Sequence, residues 1–384
     1  MEKLGIIEGR LSTQFGDLVS YEFFKNLALS ALGIFIPIII YDASGSLLMA
    51  GMYLLIKSLT SMISSVVVMN YLAGHGFEKG LYLSYLFLVP SILLLRFLDY
   101  SLGLMVAVAV LYSIGKTLHA EGMRLEFTEN TDKEDRDRRS ADITSIPNMG
   151  RFLGPLIAGS LSAAFGFNAL LTFAVAMIMV SLLPLSKLEK TKTKKHIEVK
   201  DVFKRKYWNF IPILLSRGIQ GLSAVALYGL FTYEFISGSF GSGLVRSLDT
   251  IGFVLVAYFS AYITDRVSRR TIIAVGSIAS AAAYVSRAFV STPFQAFLVA
   301  FLGGIAFKLY HIPIFSQFAD EAESNSKTEF FTLSRISKSA GMALTSGLFI
   351  IALGQGNRFG FQAMFILAGV ATLIIPLMET RIET

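Results

Sequence analysis

Cysteine is absent from this chain of 384 residues, and charged side chains are scarce. The lack of cysteine excludes disulfide scaffolds, thiolate metal sites and cysteine nucleophiles. Asp, Glu, Lys and Arg make up only 16% of the residues, whereas water-soluble domains contain about 25%. Apolar residues account for 54%. Most of the protein surface must therefore face something other than water.

Motifs for catalysis are missing as well. The four histidines are His75, His119, His196 and His311, and none lies in a His-Glu-x-x-His zinc motif. The sequence has neither a glycine-rich phosphate loop followed by Lys and Ser or Thr nor a Gly-x-Ser-x-Gly elbow. We therefore expect no enzyme activity and no cofactor. The net charge of +7 does not indicate nucleic-acid binding, because the basic residues are not gathered on one soluble face.

Long apolar segments run along the whole chain, separated by short polar breaks. One stretch, 152–186, has no ionisable side chain; it is too long for a single membrane span of about 20 residues and suits two spans joined by a tight turn. The sequence predicts an all-α integral membrane protein with twelve transmembrane helices. The expected spans are 22–41, 47–73, 80–96, 102–122, 146–165, 168–186, 209–232, 248–264, 271–289, 293–313, 333–354 and 360–378.

The distribution of basic residues predicts the orientation. Lys and Arg accumulate in the loops on the side of both termini, whereas the opposite loops hold one each, namely Arg96, Arg246, Arg287 and Arg358. Because cytoplasmic loops are enriched in Lys and Arg, both termini are expected in the cytoplasm. The chain opens without a secretory signal peptide, so the first span is expected to serve as its own insertion signal. We expect a multi-pass protein of the plasma membrane.

The second half of the sequence repeats the first at a shift of about 192 residues. The matching pairs are Lys25 with Arg217, Tyr41 with Tyr233, Asp42 with Glu234, and Lys116-Thr-Leu-His119 with Lys308-Leu-Tyr-His311. Two six-helix halves are therefore expected at 1–186 and 209–384, joined by a basic cytoplasmic linker at 187–208. Parallel repeats of this kind place a substrate site between the halves.

One loop resembles the signature of the major facilitator superfamily of secondary transporters. The family loop between the second and third spans of a half reads G-x-x-x-D-R-x-G-R-[RK]. The segment 261–270 has Asp265, Arg266, Arg269 and Arg270 at the matching positions, with Ala261 and Ser268 in place of the glycines. In the first half, Gly74 replaces the aspartate. The resemblance implies that this loop is an inner latch formed in one conformation only; the alternative is that it only sets the topology.

A second motif of the family is a glycine-rich stretch in the fifth span. It is similar to the segment with Gly150, Gly154, Pro155 and Gly159. Small residues allow helices to approach closely, so this segment is expected to pack against a neighbouring helix. The motif is associated with antiporters in the family. Together the two motifs imply a transporter that moves a small solute by alternating access.

Two Lys-x-x-His pairs are the main candidates for the transport path. An ionisable side chain at membrane depth costs at least about 2.5 kcal/mol. Lys116 and His119 share a helix face with Tyr112, and Lys308 and His311 repeat the pair in the tenth span. The resemblance implies that the fourth and tenth spans line the central cavity, where lysine binds an anionic group and histidine senses protons. The alternative is that both lysines snorkel to the interface.

Further candidates are isolated charges. Lys57 lies about ten residues into its span and is expected to pair with Asp249, to contact the substrate, or to snorkel. Glu121 is a candidate proton carrier or a charge at the cytoplasmic helix end, and Arg217 is a further basic residue at membrane depth.

The sequence therefore predicts a monomeric secondary transporter for a small molecule that is either anionic or amphiphilic. Protons are the candidate coupling ion, by symport or antiport, and the lipid bilayer is the surrounding partner. The alternative is a membrane-embedded enzyme acting on a lipid. Such an enzyme needs acids, bases or metal ligands at one depth, and only the Lys-x-x-His pairs come close to that.

Overall fold

The computed structural model describes the backbone of residues 2–98, 101–129, 136–187, 202–264, 267–324 and 327–379. Within these ranges the chain forms helices and no strands. Helices follow from the apolar composition, because in a bilayer a helix pairs its backbone N–H and C=O groups within one segment.

Twelve long helices, α1 to α12, lie in the described ranges. The first six are α1 (Glu2–Ser44), α2 (Leu47–His75), α3 (Phe77–Leu94), α4 (Leu102–Glu129), α5 (Arg136–Phe165) and α6 (Phe167–Leu185). Helix α7 joins α-helical Ile211–Leu222 and Tyr228–Thr232 with π-helical turns at Ser223–Leu227 and Tyr233–Ser237. The last five are α8 (Gly238–Thr264), α9 (Arg269–Arg287), α10 (Pro293–Ser324), α11 (Lys327–Leu353) and α12 (Asn357–Glu379).

Nine segments of the described chain are long and apolar enough to cross a membrane, and one of them, Tyr207–Val256, contains α7 and most of α8. Helices α5 and α9 are not among the nine. Helix α9 is rich in Ser and Ala and begins and ends with arginine. The helices agree with the predicted all-α membrane fold of two six-helix halves.

The predicted start of the eighth span was wrong by ten residues. Helix α8 begins at Gly238 rather than at 248, directly after α7, and Gly238 has a φ of +60°. A positive φ is easily adopted by glycine and turns the chain without a loop. The Ser- and Gly-rich sequence 237–243 suggested a loop, but its small residues serve helix packing. A Cβ on Gly243 would lie 2.3 Å from the Pro155 carbonyl oxygen of α5.

The two halves pack in the same pattern. In the first half α1 contacts α5 and α6, and α4 contacts α2 and α3. In the second half α7 contacts α11 and α12, and α10 contacts α8 and α9. The main contacts between the halves join α2 to α11 and α5 to α8. Most of the predicted linker, 188–201, lies outside the described residues.

The glycines of α5 lie where neighbouring helices approach closely. A Cβ on Gly154 would lie 2.2 Å from the carbonyl oxygen of Leu27 in α1, and one on Gly150 would lie 2.6 Å from that of Phe23. On Gly159 a Cβ would lie 2.9 Å from a carbonyl oxygen of α8. These positions therefore hold α5 against both α1 of its own half and α8 of the other.

The chain connections define two faces of the bundle. The short-turn face carries the connections α1–α2, α3–α4, α5–α6, α7–α8, α9–α10 and α11–α12. The opposite face, here the terminus face, carries the beginning of α1 and the end of α12. Depths below are counted along each helix from the short-turn face.

Candidate functional site

Four basic side chains from four helices lie at one depth in the bundle. Lys116 and Lys308 lie about four helical turns after the first residues of α4 and α10, which begin at the short-turn face. Arg151 and Lys338 lie about four helical turns before the last residues of α5 and α11, which end at that face. At 1.5 Å per residue, all four lie about 21 to 22 Å from the short-turn face. We call these residues the cation layer.

The cation layer spans the boundary between the halves. The charges that act on Lys116 of the first half include Arg335 and Arg246 of the second. The charges that act on Lys308 of the second half include Arg151 of the first. Arg151 is exposed and donates to Asn26 Oδ1 at 3.3 Å. The layer therefore brings together charges of both halves that act on one another.

No described carboxylate forms an ion pair with a member of the cation layer. The described neighbours of its two predicted lysines are aromatic. The Nζ of Lys116 lies 5.7 Å from the ring centre of Tyr112, and that of Lys308 lies 3.8 Å from the ring centre of Phe253. Tyr112, the third residue predicted on this face, is fully buried. Within the described part of the chain, the layer thus holds positive charge without an ion pair.

His119 contacts two residues of α1. Its Nδ1 lies 2.9 Å from the Tyr21 hydroxyl, and its Nε2 lies 3.3 Å from Glu22 Oε1. The other carboxylate oxygen of Glu22 accepts from Asn26 at 2.7 Å. All four side chains are buried. A histidine held between a carboxylate and a hydroxyl is well placed to take up and release a proton.

His311 has different surroundings, although its sequence motif is the same. It contacts the guanidinium of Arg217 in α7, and its ring lies 4.9 Å from that of Phe307. Leu214 occupies the position that corresponds to Glu22 at a shift of 192 residues. In the described contacts, a carboxylate lies beside His119 and a guanidinium lies beside His311.

Glu121 joins the two halves. Its side chain is 1% exposed, and Oε1 accepts from Arg335 Nε of α11 at 2.7 Å. Arg124, one turn further along α4, also pairs with it at 3.0 Å. Glu121 is therefore part of an ion pair between the halves, on the terminus-face side of the cation layer.

The halves also meet at the short-turn face and in the middle. Tyr233 of α7 donates to Asp42 Oδ1 of α1 at 2.7 Å, and the Tyr41 hydroxyl of α1 interacts with Glu234 of α7. Tyr41 is equivalent to Tyr233 in the repeat, and Asp42 is equivalent to Glu234. In each contact, the tyrosine of one half therefore meets the acidic residue of the other half. In the middle, the Ser339 hydroxyl of α11 donates to the Ser61 hydroxyl of α2 at 3.1 Å.

A model of the Major Facilitator Superfamily matches residues 19–235. The match runs from α1 into α7 and covers more than half of the chain. The chain belongs to the major facilitator superfamily. It is a multi-pass membrane protein and a secondary transporter that takes a small-molecule substrate. No curated protein matches the chain.

The signature loop of this superfamily is only partly described in the transporter. Asp265 and Arg266 lie outside the described residues. Arg269 donates to the carbonyl oxygen of Pro313 in α10, and Arg270 is exposed at the start of α9. The described contact of this loop is thus a backbone carbonyl of the same half.

The ion pair between Lys57 and Asp249, one of three alternatives, does not form in this conformation of the transporter. Asp249 pairs with Arg246 of the preceding helical turn and with Arg287 of α9 instead. The Nζ of Lys57 lies 5.9 Å from the ring centre of Tyr53. Arg246 is three residues before Asp249 and shares its helix face, so it reaches the carboxylate first.

Several residues of this transporter site were missed in the sequence, above all Glu22, Arg151, Arg335 and Lys338. Glu22, the carboxylate beside His119, comes from α1, and helical periodicity within α4 gives no indication of it. The repeat does point to Glu22, because this acidic residue aligns with the apolar Leu214 of the second half. The described residues contain no group of three His, Asp or Glu side chains suited to a metal ion.

Proposed function

We propose that this transporter moves a small organic anion through the space between its halves. The cation layer carries this proposal. Its four members come from both halves, lie at one depth, and lack ion pairs with described carboxylates. Charges retained at membrane depth line binding sites and polar pathways rather than lipid. Walls of low dielectric strengthen their field and concentrate anions between them.

The contacts between the halves support alternating access. Opening the short-turn face requires breaking the reciprocal pairs of Tyr41 with Glu234 and of Tyr233 with Asp42. Opening the terminus face requires breaking the ion pair of Glu121 with Arg335. Contacts that exist in one conformation only shift the equilibrium by their differential energy. The two sets lie on opposite sides of the cation layer, as gates on either side of a substrate site must.

Proton coupling is proposed for His119 rather than for both histidines. Glu22 is an anion beside His119 and offsets the cations Lys25 and Lys116 that also act on this histidine; the pair can exchange a proton with water when the cavity opens. The cation of Arg217 repels a positive charge on His311. We therefore assign His311 to substrate binding or packing, and His119 with Glu22 to the proton.

The proposed orientation keeps both termini in the cytoplasm of a cell bounded by the plasma membrane. Lys79, Arg124 and Lys187 are on the terminus face, which agrees with the enrichment of basic residues in cytoplasmic loops. We also propose a monomer as the transporting unit, because one chain supplies both halves of the site.

The test is uptake into proteoliposomes with labelled lactate, succinate and phosphate. Lys116→Gln and Lys308→Gln are each expected to reduce anion uptake at least tenfold. Lys79→Gln is the matched control, because Lys79 is exposed in α3 outside the layer. Uptake of neutral or cationic solutes with no effect of either variant contradicts an anionic substrate.

A pH-sensitive dye inside the same vesicles tests coupling. Anion-dependent pH changes are expected for the wild type and for His311→Gln, and their loss is expected for His119→Gln. Equal loss in both variants contradicts the assignment to His119. Conversion of labelled lipid in these vesicles without solute uptake supports the lipid enzyme instead.

A further inference from the structure

A second charged site lies inside the second half. A cavity of about 210 Å³ is enclosed by α7, α8, α9 and α10. Its charged lining residues are Arg246, Asp249 and Arg287, and its aromatic ones are Tyr284 and Phe307. The remaining walls are mostly glycine, alanine and valine. No member of the cation layer lines it, although Arg246, which does line it, acts on Lys116 of that layer.

Arg287 has donors that no described residue accepts. The residue is 2% exposed, and its Nε and Nη1 are buried without a hydrogen-bond partner in the described chain. Its Nη2 lies 3.6 Å from Asp249 Oδ1, which is longer than a hydrogen bond. The other oxygen of Asp249 is taken by Arg246. A buried guanidinium is normally fully hydrogen-bonded, so these donors indicate a missing acceptor.

The guanidinium of Arg287 is held in a fixed orientation. Its central carbon lies 4.6 Å from the ring centre of Tyr228 and 4.8 Å from that of Tyr284. Cations placed over aromatic faces in this way are attracted by the ring electrons. Gly303 leaves room beside it, because a Cβ there would lie 3.1 Å from Nη2. The arginine is therefore oriented before any ligand arrives.

We infer that this cavity binds a small organic monocarboxylate, with the carboxylate on Arg287. The two arginines and one aspartate leave one positive charge to be matched, which favours a monoanion. Arginine pairs with carboxylates through parallel N–H donors. The apolar walls around Phe307 suit the body of the ligand. The volume equals that of about seven water molecules in the liquid, which accommodates a single ring such as that of benzoate.

This inference goes beyond the proposed transport function. All of the lining residues belong to one half, so the site does not need the halves to meet and is not opened or closed by their rocking alone. Its ligand is held by a second-half arginine, whereas the proposed transport substrate is held by lysines of both halves. The two sites can therefore be separated by mutation.

The test is calorimetric titration of the purified full-length transporter with benzoate, and with benzamide as the neutral analogue. Arg287→Gln is expected to weaken benzoate binding at least tenfold. All titrations use the Lys116→Gln/Lys308→Gln background, because the proposed transport site would otherwise bind benzoate as well. Arg358→Gln in this background is the control and is expected to leave binding unchanged; it removes an arginine at the short-turn end of α12 that donates to the Val290 carbonyl.

A second variant, Ala283→Leu, provides an independent test in case Arg287→Gln misfolds. Ala283→Leu keeps the arginine and fills part of the cavity that Ala283 lines, so it is also expected to abolish benzoate binding. Both proteins are first checked for a single symmetrical peak in size-exclusion chromatography. If only one variant passes this check, the benzoate titration of that variant decides whether the inference holds.

Three outcomes overturn the inference. They are no saturable benzoate binding by the Lys116→Gln/Lys308→Gln protein, equal binding of benzamide, and binding that survives when either cavity substitution is added to this background. The titration measures binding without transport. Failure of this site therefore leaves the uptake assays valid, and failure of anion uptake leaves the titration valid.

Discussion

Replacing Arg335 by glutamine is expected to shift the transporter towards the conformation open on the terminus face. The Glu121 and Arg335 side chains are only 1% and 16% exposed, and their atoms are 2.7 Å apart. A hydrogen bond to a charged group contributes about 1.5 to 3 kcal/mol. Since about 1.4 kcal/mol corresponds to a factor of ten, the shift in the equilibrium is on the order of 10- to 150-fold.

Arg124 limits the shift in this equilibrium, because Glu121 keeps one ion pair when Arg335 is replaced. Removing one partner of a buried ion pair costs about 3 to 5 kcal/mol when the other charge is left alone. Glu121 retains Arg124 at 3.0 Å in the variant, so the lower range applies and the fold is preserved. Arg124→Gln is the matched control. It removes a pair within one helix, which does not change when the halves move.

The absence of cysteine makes the assay direct. A single cysteine at Ser61, beside the contact of α2 with α11, reacts with a membrane-impermeant maleimide when the cavity is open to the side of addition. Adding Arg335→Gln is expected to raise the labelling rate from the terminus face at least tenfold. With Arg124→Gln the rate is expected to stay within about twofold. An unchanged rate for Arg335→Gln refutes the role of this ion pair as a gate.

Three further outcomes are expected. A disulfide between cysteines at Ser61 and Ser339, whose hydroxyls are 3.1 Å apart, should stop uptake until it is reduced; continued uptake by the oxidised protein contradicts movement between these helices. Gly154→Ala should lower stability by about 1 to 3 kcal/mol through overpacking, seen as a lower melting temperature. Gly33→Ala is the control, because nothing lies within 4 Å of its Cβ, and it should leave the melting temperature unchanged. Equal melting temperatures for the two variants contradict the close packing of α5. Tyr233→Phe, which removes a hydrogen bond between the halves, should increase maleimide labelling from the short-turn face; a decrease contradicts that gate.

Much of the fold could be predicted from hydropathy and from the repeat, because membrane spans are set by length and apolar composition. The exception was the start of α8. Gly243 and its neighbours form a polar, glycine-rich sequence that is typical of a loop, yet they allow α8 to approach Pro155 of α5. Hydropathy measures the transfer of a residue from water to lipid, and it contains no information on how closely two helices pack.

The site was less accessible to sequence reasoning. Lys116 and Lys308 were found because a repeated motif marks them. Lys338 belongs to the same layer but has no basic counterpart at position 146, so the repeat gives no signal for it. The partner of His119 was missed because Glu22 lies almost a hundred residues away in α1. Contacts between helices follow from tertiary packing, which periodicity within one helix does not encode.

The difference between the halves gives the repeat a functional meaning. Duplication of the Lys-x-x-His motif places equivalent side chains in both halves, but the position of Glu22, which contacts His119, is occupied by Leu214 in the second half. One histidine is thereby linked to an acid and the other to Arg217. We propose that the common lysines serve the substrate and that the divergent partners separate proton handling from binding.

Counterflow in proteoliposomes tests the central claim most directly. Vesicles loaded with an unlabelled anion from the uptake panel are diluted into the labelled anion, and transient accumulation of label reports exchange through a single site. Accumulation is expected for the wild type and for Lys79→Gln, and its loss is expected for the Lys116→Gln/Lys308→Gln double variant. Accumulation by the double variant at the wild-type rate would contradict an anion path through the cation layer.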